Sequence, residues 1–371
     1  MQFSRRRGLA VLAVLTVLVS GFAAGVAFAG AGQDRHATES ASSARIVLEP
    51  GKNQLAAAIA RVEPGGTIVL QAGQHVESKT VAIHKPLTLK GEPGAILTVK
   101  TAAADQYPLR VDPAIQIQGT SNVRVEGITI EPGRHVGSTA VLIEDATLVT
   151  ISGNRVLNHQ VGVLVEHGEG AVITGNTIMT GLRAQDSDRT ERHGIVIING
   201  RGAHVESNTI SDATYGLWVS DRDGQATGNV ISGSRGGIAL GRVPDGRFSI
   251  SGSDRGSETT ASGWKVRGNL SSDNAHAFLM MDGANGIAMA SNQSFGSTLH
   301  DVELVCDKGR YGFVTVGSFE GWVASEGSRE MVAKGCGAED KVSRSFTPTA
   351  IVAGANLTPT GQASTTPGGG R

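Results

Sequence analysis

Between Arg183 and His193 the chain places seven ionisable side chains in eleven positions: Arg183, Asp186, Asp188, Arg189, Glu191, Arg192 and His193. Acids, bases and guanidinium groups at this density suit proton transfer beside a bound anion. His193 stands immediately before Gly194, and Tyr215 immediately before Gly216, and each glycine opens a Gly-apolar-x-apolar stretch. If those stretches are neighbouring strands, the imidazole and the phenol lie about 5 Å apart and can act as base and acid on one sugar ring. Arg189, Arg192 and Arg222 are then the candidates to hold a uronate carboxylate and offset the charge that develops as its C5 proton leaves. The plainer reading of the same residues is a solvated loop whose charges pair with one another.

Other chemistry is narrower. There is no lysine between Lys100 and Lys265, which excludes a lysine base in the central part of the chain. A calcium site needs several carboxylates on one ion, and Asp186, Asp188, Asp221 and Asp223 could supply them if the charged loop folds over the next strand. Cys306 and Cys336 are the only cysteines. In an oxidising compartment they suit a disulfide worth about 3 kcal/mol in the entropy model, the alternative being two separate buried thiols. Neither has zinc-ligand spacing. Trp218 has the alternation of a core residue if Leu217 faces outward.

The elements that would position these groups show as an internal repeat. Two β-branched or apolar positions precede a Gly/Ser-Asn step at Asn154, Asn176, Asn208, Asn229, Asn269 and Asn292, with spacings of 22, 32, 21, 40 and 23. A period near 22 is too long for a hairpin array and fits one turn of a solenoid. The 32-residue step then carries an insertion, and the 40-residue step spans two coils or one coil with a long insertion. Each coil also carries a Gly-apolar-x-apolar strand, at Gly162, Gly194, Gly216 and Gly237. An asparagine repeated at one corner can bond the asparagines above and below it, so these six residues are structural. Gln54–Arg61 reads as a short amphipathic helix that caps the first coil and protects its open strand edge.

This pattern resembles the right-handed parallel β-helix repeats of proteins with the pectin-lyase-like fold. The resemblance covers Ile46 to Phe346 and implies an all-β, single-stranded right-handed parallel β-helix with a short N-terminal capping helix. The stretch Asp186-Ser187-Asp188-Arg189 with His193-Gly194 is similar to the corresponding part of periplasmic mannuronan C5-epimerases, but lacks that family's motif Pro and His. Arg192-His193-Gly194-Ile195 resembles a step in the periplasmic β-helix protein of nitrous oxide reductase maturation, although the sequence shows no Met/His/Cys run that would hold copper.

Met1–Ala29 is expected to be an export signal: Arg5-Arg6-Arg7, an apolar run from Leu9 to Phe28, and the small-residue site Ala27-Phe28-Ala29. Ser4-Arg5-Arg6-Arg7-Gly8-Leu9 also resembles a twin-arginine signal, and an uncleaved signal would anchor the chain in a membrane. Residues 30–45 read as a flexible linker, 46–346 as the β-helix with its last irregular coils over 300–346, and 347–371 as a Thr/Pro/Gly-rich tail. Lys and Arg number 33 against 34 Asp and Glu, a net charge of −1, and the signal removes three arginines and no acid. That balance excludes nucleic acid as partner. Glycine at 51 of 371 against only 9 Phe, 3 Trp and 3 Tyr calls for many tight corners and few bulky core fillers. The expected protein is secreted or periplasmic and binds a polysaccharide, of acidic type, along its flank. The alternative is a uronan lyase or C5-epimerase, with calcium as the one conceivable cofactor.

Overall fold

The structure, a computed structural model, describes residues 43–101, 103, 109–133, 135–181, 191–244, 248–250, 253–281 and 283–305, together with strands at 316–320, 323–325, 332–334 and 350–352. A three-residue apolar-alternating segment cannot bury its apolar face alone, so the chain stacks such segments rung on rung. Among the described residues this produces three parallel sheets of 11, 12 and 10 strands, a right-handed parallel β-helix of the pectin-lyase-like kind. One rung runs from Gly137–Glu144 in the third sheet to Thr150–Ser152 in the first and Arg155–Leu157 in the second. The next rung repeats this order from His159–Glu166.

Each inward position continues as a column along the stack. Ile151, Ile173, Val205, Ala226 and Val266 follow one another in the first sheet, and Val163, Ile195, Leu217, Ile238, Phe278 and Val302 in the third. All lie in one continuous buried core. Each large aliphatic or aromatic side chain so enclosed is worth about 1.5–3 kcal/mol. The glycines of the Gly-apolar-x-apolar strands have a steric cause. A Cβ at Gly162, Gly194 or Gly237 would run into the carbonyl oxygen of the next rung and a core side chain.

The corner between first and second sheets explains the Gly/Ser-Asn step. Its first residue is left-handed, with φ of 61° at Gly153, 63° at Gly175, 54° at Ser207, 63° at Gly228 and 60° at Gly268, which glycine adopts at no steric cost. The asparagine that follows is buried and bonds forward. Asn154, Asn176, Asn208, Asn229 and Asn269 each donate from Nδ2 to Oδ1 of the next asparagine at 2.9–3.1 Å. Their backbone N–H groups donate to the same oxygens. Because Asn229 bonds Asn269 directly, the 40-residue step is one coil with a long insertion.

At the N-terminal end the helix Leu55–Arg61 covers the first coil, burying Leu55, Ala58 and Ile59. The Glu77 carboxylate accepts the backbone N–H groups of Gln54 and Leu55 at 2.9 and 3.0 Å. It thereby satisfies donors that the helix start leaves open and places negative charge at the positive end of the helix.

Three of the segments read from the sequence contain strands of the solenoid. The first strand is Ser43–Leu48, so it takes in the end of the stretch read as linker. His300–Val305, Val316–Glu320, Val323–Ser325 and Val332–Lys334 continue the third, first, second and third sheets. The part read as irregular coils therefore keeps the rung order. Ala350–Val352, inside the stretch read as tail, pairs in parallel with Val323–Ser325. Leu217 faces the core while Trp218 lies in a second apolar cluster on the opposite face of its strand. The expected signal 1–29, Cys306 and Cys336 lie outside the described residues. Among the described residues no helix is long and apolar enough to cross a membrane.

Candidate functional site

The outer face of the third sheet is where the sequence directs the chemistry, because the column Val161, His193, Tyr215, Gly236, His276, His300 runs along it in register. Most of this face is covered. Leu142, Val161, Leu164, Val196, Ile198, Trp218, Ala239 and Leu279 form an outer apolar layer, over which Val243 and Phe248 pack. The cover comes from the long insertion: Phe248–Ile250 and Ser253–Arg255 form a small sheet with Leu109–Val111. Its base is closed by Val243 and Ser257, whose backbone N–H groups donate to Ser257 Oγ at 2.7 Å and Val243 O at 2.9 Å. Asn199 ties it to the rung below, donating to Gly256 O at 3.1 Å and accepting from the Glu258 N–H at 2.7 Å.

His193 sits under this cover. It is 0% exposed, stacked on Tyr215 with ring centroids 5.8 Å apart, and flanked by Trp218 at 5.3 Å and Phe248 at 6.2 Å. Glu191 Oε2 lies 3.7 Å from its Nε2. The sequence expectation of adjacent rungs holds, but the two rings belong to a packed aromatic cluster. A group that moves a substrate proton must reach it, and no face of this imidazole is open to a polymer.

Of the candidate arginines, Arg192 and Arg222 are described. Arg192 donates from Nη1 to the carbonyl oxygens of Thr180 and Gly181 at 2.8 and 2.6 Å, which makes it a tie between coils. Arg222 lies seven residues along the strand from Tyr215, roughly 20 Å of extended chain away. Arg189, with Asp186 and Asp188, lies outside the described residues. Of the two described acids proposed for calcium, Asp223 is 55% exposed and binds Arg201 Nε at 3.0 Å. Asp221 is fully enclosed and accepts the N–H of Arg222. Burial pushes its carboxyl up to about 7, against the opposing effect of that hydrogen bond. A carboxyl so placed does not share an exposed ion with Asp223.

Farther along the same column, the structure assembles a group that the sequence reading missed. His276 and His300 are paired in register with ring centroids 5.5 Å apart, and Glu303 Oε2 lies 2.7 Å from His276 Nδ1. One ligand atom from each of the three residues lies within 4.8 Å of the others. The signal was present as one further repeat of the column, at a 24-residue step from His276 to His300. Reading residues from 300 onward as irregular concealed it.

Residues 75–254 match the model of the NosD family, described as a periplasmic copper-binding protein. No curated protein matches the chain by sequence. Among solved structures, a polygalacturonase from Erwinia carotovora ssp. carotovora is 11% identical with a TM-score of 0.59, over 79% of this chain and 95% of that one. An alginate lyase from Paenibacillus sp. is 11% identical with a TM-score of 0.56, over 79% of this chain and 99% of that one. A mannuronan C-5 epimerase A-module from Azotobacter vinelandii is 16% identical with a TM-score of 0.52, over 81% and 93%. At such identities the likeness is one of fold. For copper, the described residues of the matched segment offer no group of three His, Cys, Asp or Glu ligands, and the group that does form lies beyond it at 276–303.

Proposed function

We propose that the protein is an exported, non-catalytic parallel β-helix that binds an acidic extracellular or cell-wall polysaccharide along the open flank of its first and second sheets. One observation carries this reading: His193 is enclosed and Tyr215 half-buried beneath the insertion, while the outward rows of the other two sheets hold exposed polar and cationic side chains. Along the first sheet the aligned outward positions are Arg124, Thr150, Val172, His204, Gln225 and Lys265, and on the second Arg155, Thr177 and Thr209 precede Val230 and Leu270. Arg124, Arg155, His204 and Lys265 are exposed. Polar side chains that recur along these rows at multiples of about 4.8 Å present a repeating polymer with a recurring set of donors. Three structures that share the fold act, by their names, on polygalacturonate, alginate or mannuronan, which supports a polymeric partner by analogy alone.

The test is titration of the protein with polygalacturonate, alginate and neutral dextran, together with proton spectra of each polymer in D₂O. Saturable binding to the acidic polymers is expected, weakened by salt and by Arg124→Gln with Lys265→Gln, and every C5 proton signal should persist. No binding to either acidic polymer would overturn the reading. Loss of the C5 signal would replace it with the lyase or epimerase alternative. A metal-linked role is the second reading, favoured by the family match over residues 75–254.

A further inference from the structure

We propose that His276, His300 and Glu303 form a binding site for one divalent transition-metal ion on the last rungs of the third sheet. The site follows from the stacking rule of the solenoid. His276 and His300 occupy the same position on adjacent strands, His276–Met281 and His300–Val305, and Glu303 pairs with Leu279 three residues farther on. Side chains at these positions project from one face, so a histidine repeated at one position brings two imidazoles together without any local sequence motif.

The spacing fits a single ion. Two ligand atoms that each sit about 2.1 Å from one tetrahedral metal stand roughly 3.4 Å apart. His276 Nδ1 and Glu303 Oε2 are already 2.7 Å apart, and one ligand atom from each of the three residues lies within 4.8 Å of the others. Side-chain shifts of about an ångström, opening the His276–Glu303 contact and drawing His300 in, would bring all three to ligand spacing. The Glu303 side chain is only 7% exposed and that of His276 20%, while Met281 and Val305 on the same two strands pack against the outer apolar cluster. A carboxylate largely removed from water is stabilised by a positive charge beside it, which an ion held by the two imidazoles would add.

The donor types select the class of ion. Calcium and magnesium take sets made up of oxygen, whereas two imidazoles and one carboxylate suit zinc, copper, nickel or iron. Three protein ligands leave at least one position for water or another molecule. This inference stands on these three residues and goes beyond the polysaccharide reading, whose assay contains polymer while this one contains none.

The experiment is a titration of the intact chain with Co²⁺, followed by visible absorption, then displacement with Zn²⁺ and a parallel titration with Ca²⁺. Expected are one Co²⁺ per chain, displacement by Zn²⁺, and no response to Ca²⁺. Glu303→Gln and His300→Ala should each weaken binding by about tenfold or more, and His84→Ala, at an exposed histidine near the N-terminal end of the solenoid, should leave it unchanged. Imidazole nitrogen spectra of the wild-type chain supply a readout that no variant can confound, with the His276 and His300 signals shifting on addition of Zn²⁺. Absence of saturable Co²⁺ binding would overturn the site, as would binding that Glu303→Gln and His300→Ala leave intact, or Zn²⁺ shifts confined to other histidines.

Discussion

Two enclosed ionisable residues, Asp221 and His159, respond to pH in opposite senses. Burial pushes the Asp221 carboxyl up from 3.8 to about 7. Burial also drives His159 down from 6.5 to about 4, with its hydrogen bond to the Leu157 carbonyl opposing the change. A raised carboxyl holds its proton more tightly in the folded chain. Its contribution is therefore complete below 3.8 and is lost as pH rises through about 7. A depressed imidazole contributes fully above 6.5 and loses that contribution as pH falls through about 4. In the window between, each slope is about 1.4 kcal/mol per pH unit and the two offset one another. Asp221→Asn keeps an acceptor for the Arg222 N–H and removes the falling slope, so its stability relative to wild type should rise between about pH 4.5 and 6. His159→Gln should fall over the same window. Denaturant midpoints measured across it check both, and profiles parallel to wild type would refute the assignment.

Among elements, the asparagine ladder is the feature whose strength depends on position. Asn208 receives the N–H and Nδ2 of Asn176 and donates its own N–H and Nδ2 to Asn229. Asn292 accepts from Asn269, and its Nδ2 donates to Val266 O. Asn208→Ala should therefore cost about 3 kcal/mol or more and Asn292→Ala about 1–2 kcal/mol, as read by urea unfolding, and equal costs would contradict the ladder. This part of the molecule was legible in the sequence, since a corner that needs a left-handed residue and then an amide leaves Gly/Ser-Asn at every turn. The register of His193 on Tyr215 was legible for the same reason, because the glycine before each core strand marks the rung. What covers them was not. Leu109–Val111 and Phe248–Ile250 lie far from both residues in the chain, and a three-residue strand in an insertion carries no periodicity to detect. The aromatic cluster thus looked like an open acid/base pair until its lid was placed.

For the molecule as a whole, the uneven treatment of its flanks matters most: two carry exposed charged and polar side chains among a few apolar ones, and the third carries a second apolar layer beneath the insertion. Replacing residues 244–256 by a short Gly/Ser link between Val243 and Ser257 should leave the stacked sheets intact. It would bare Leu164, Val196 and Trp218, which the cover encloses, and exposed patches of this kind bind apolar dyes and associate. The expected outcome is an unchanged strand signal in circular dichroism, with red-shifted tryptophan emission and concentration-dependent self-association. Blue, monomeric behaviour in the shortened chain would mean that the insertion is not what shields this face.

The direct bond from Asn229 to Asn269 has a consequence for how such a chain can vary. It crosses 40 residues of sequence, and the bond from Asn208 to Asn229 crosses 21, yet both measure 2.9–3.0 Å. The spine registers rungs and is indifferent to the length of chain between them. Lengthening a loop costs only the entropy of closing it, about 0.6 kcal/mol for each doubling. Inserted material can therefore be exchanged on one face while the amide stack beneath keeps its register, so that recognition can evolve faster than the scaffold that carries it.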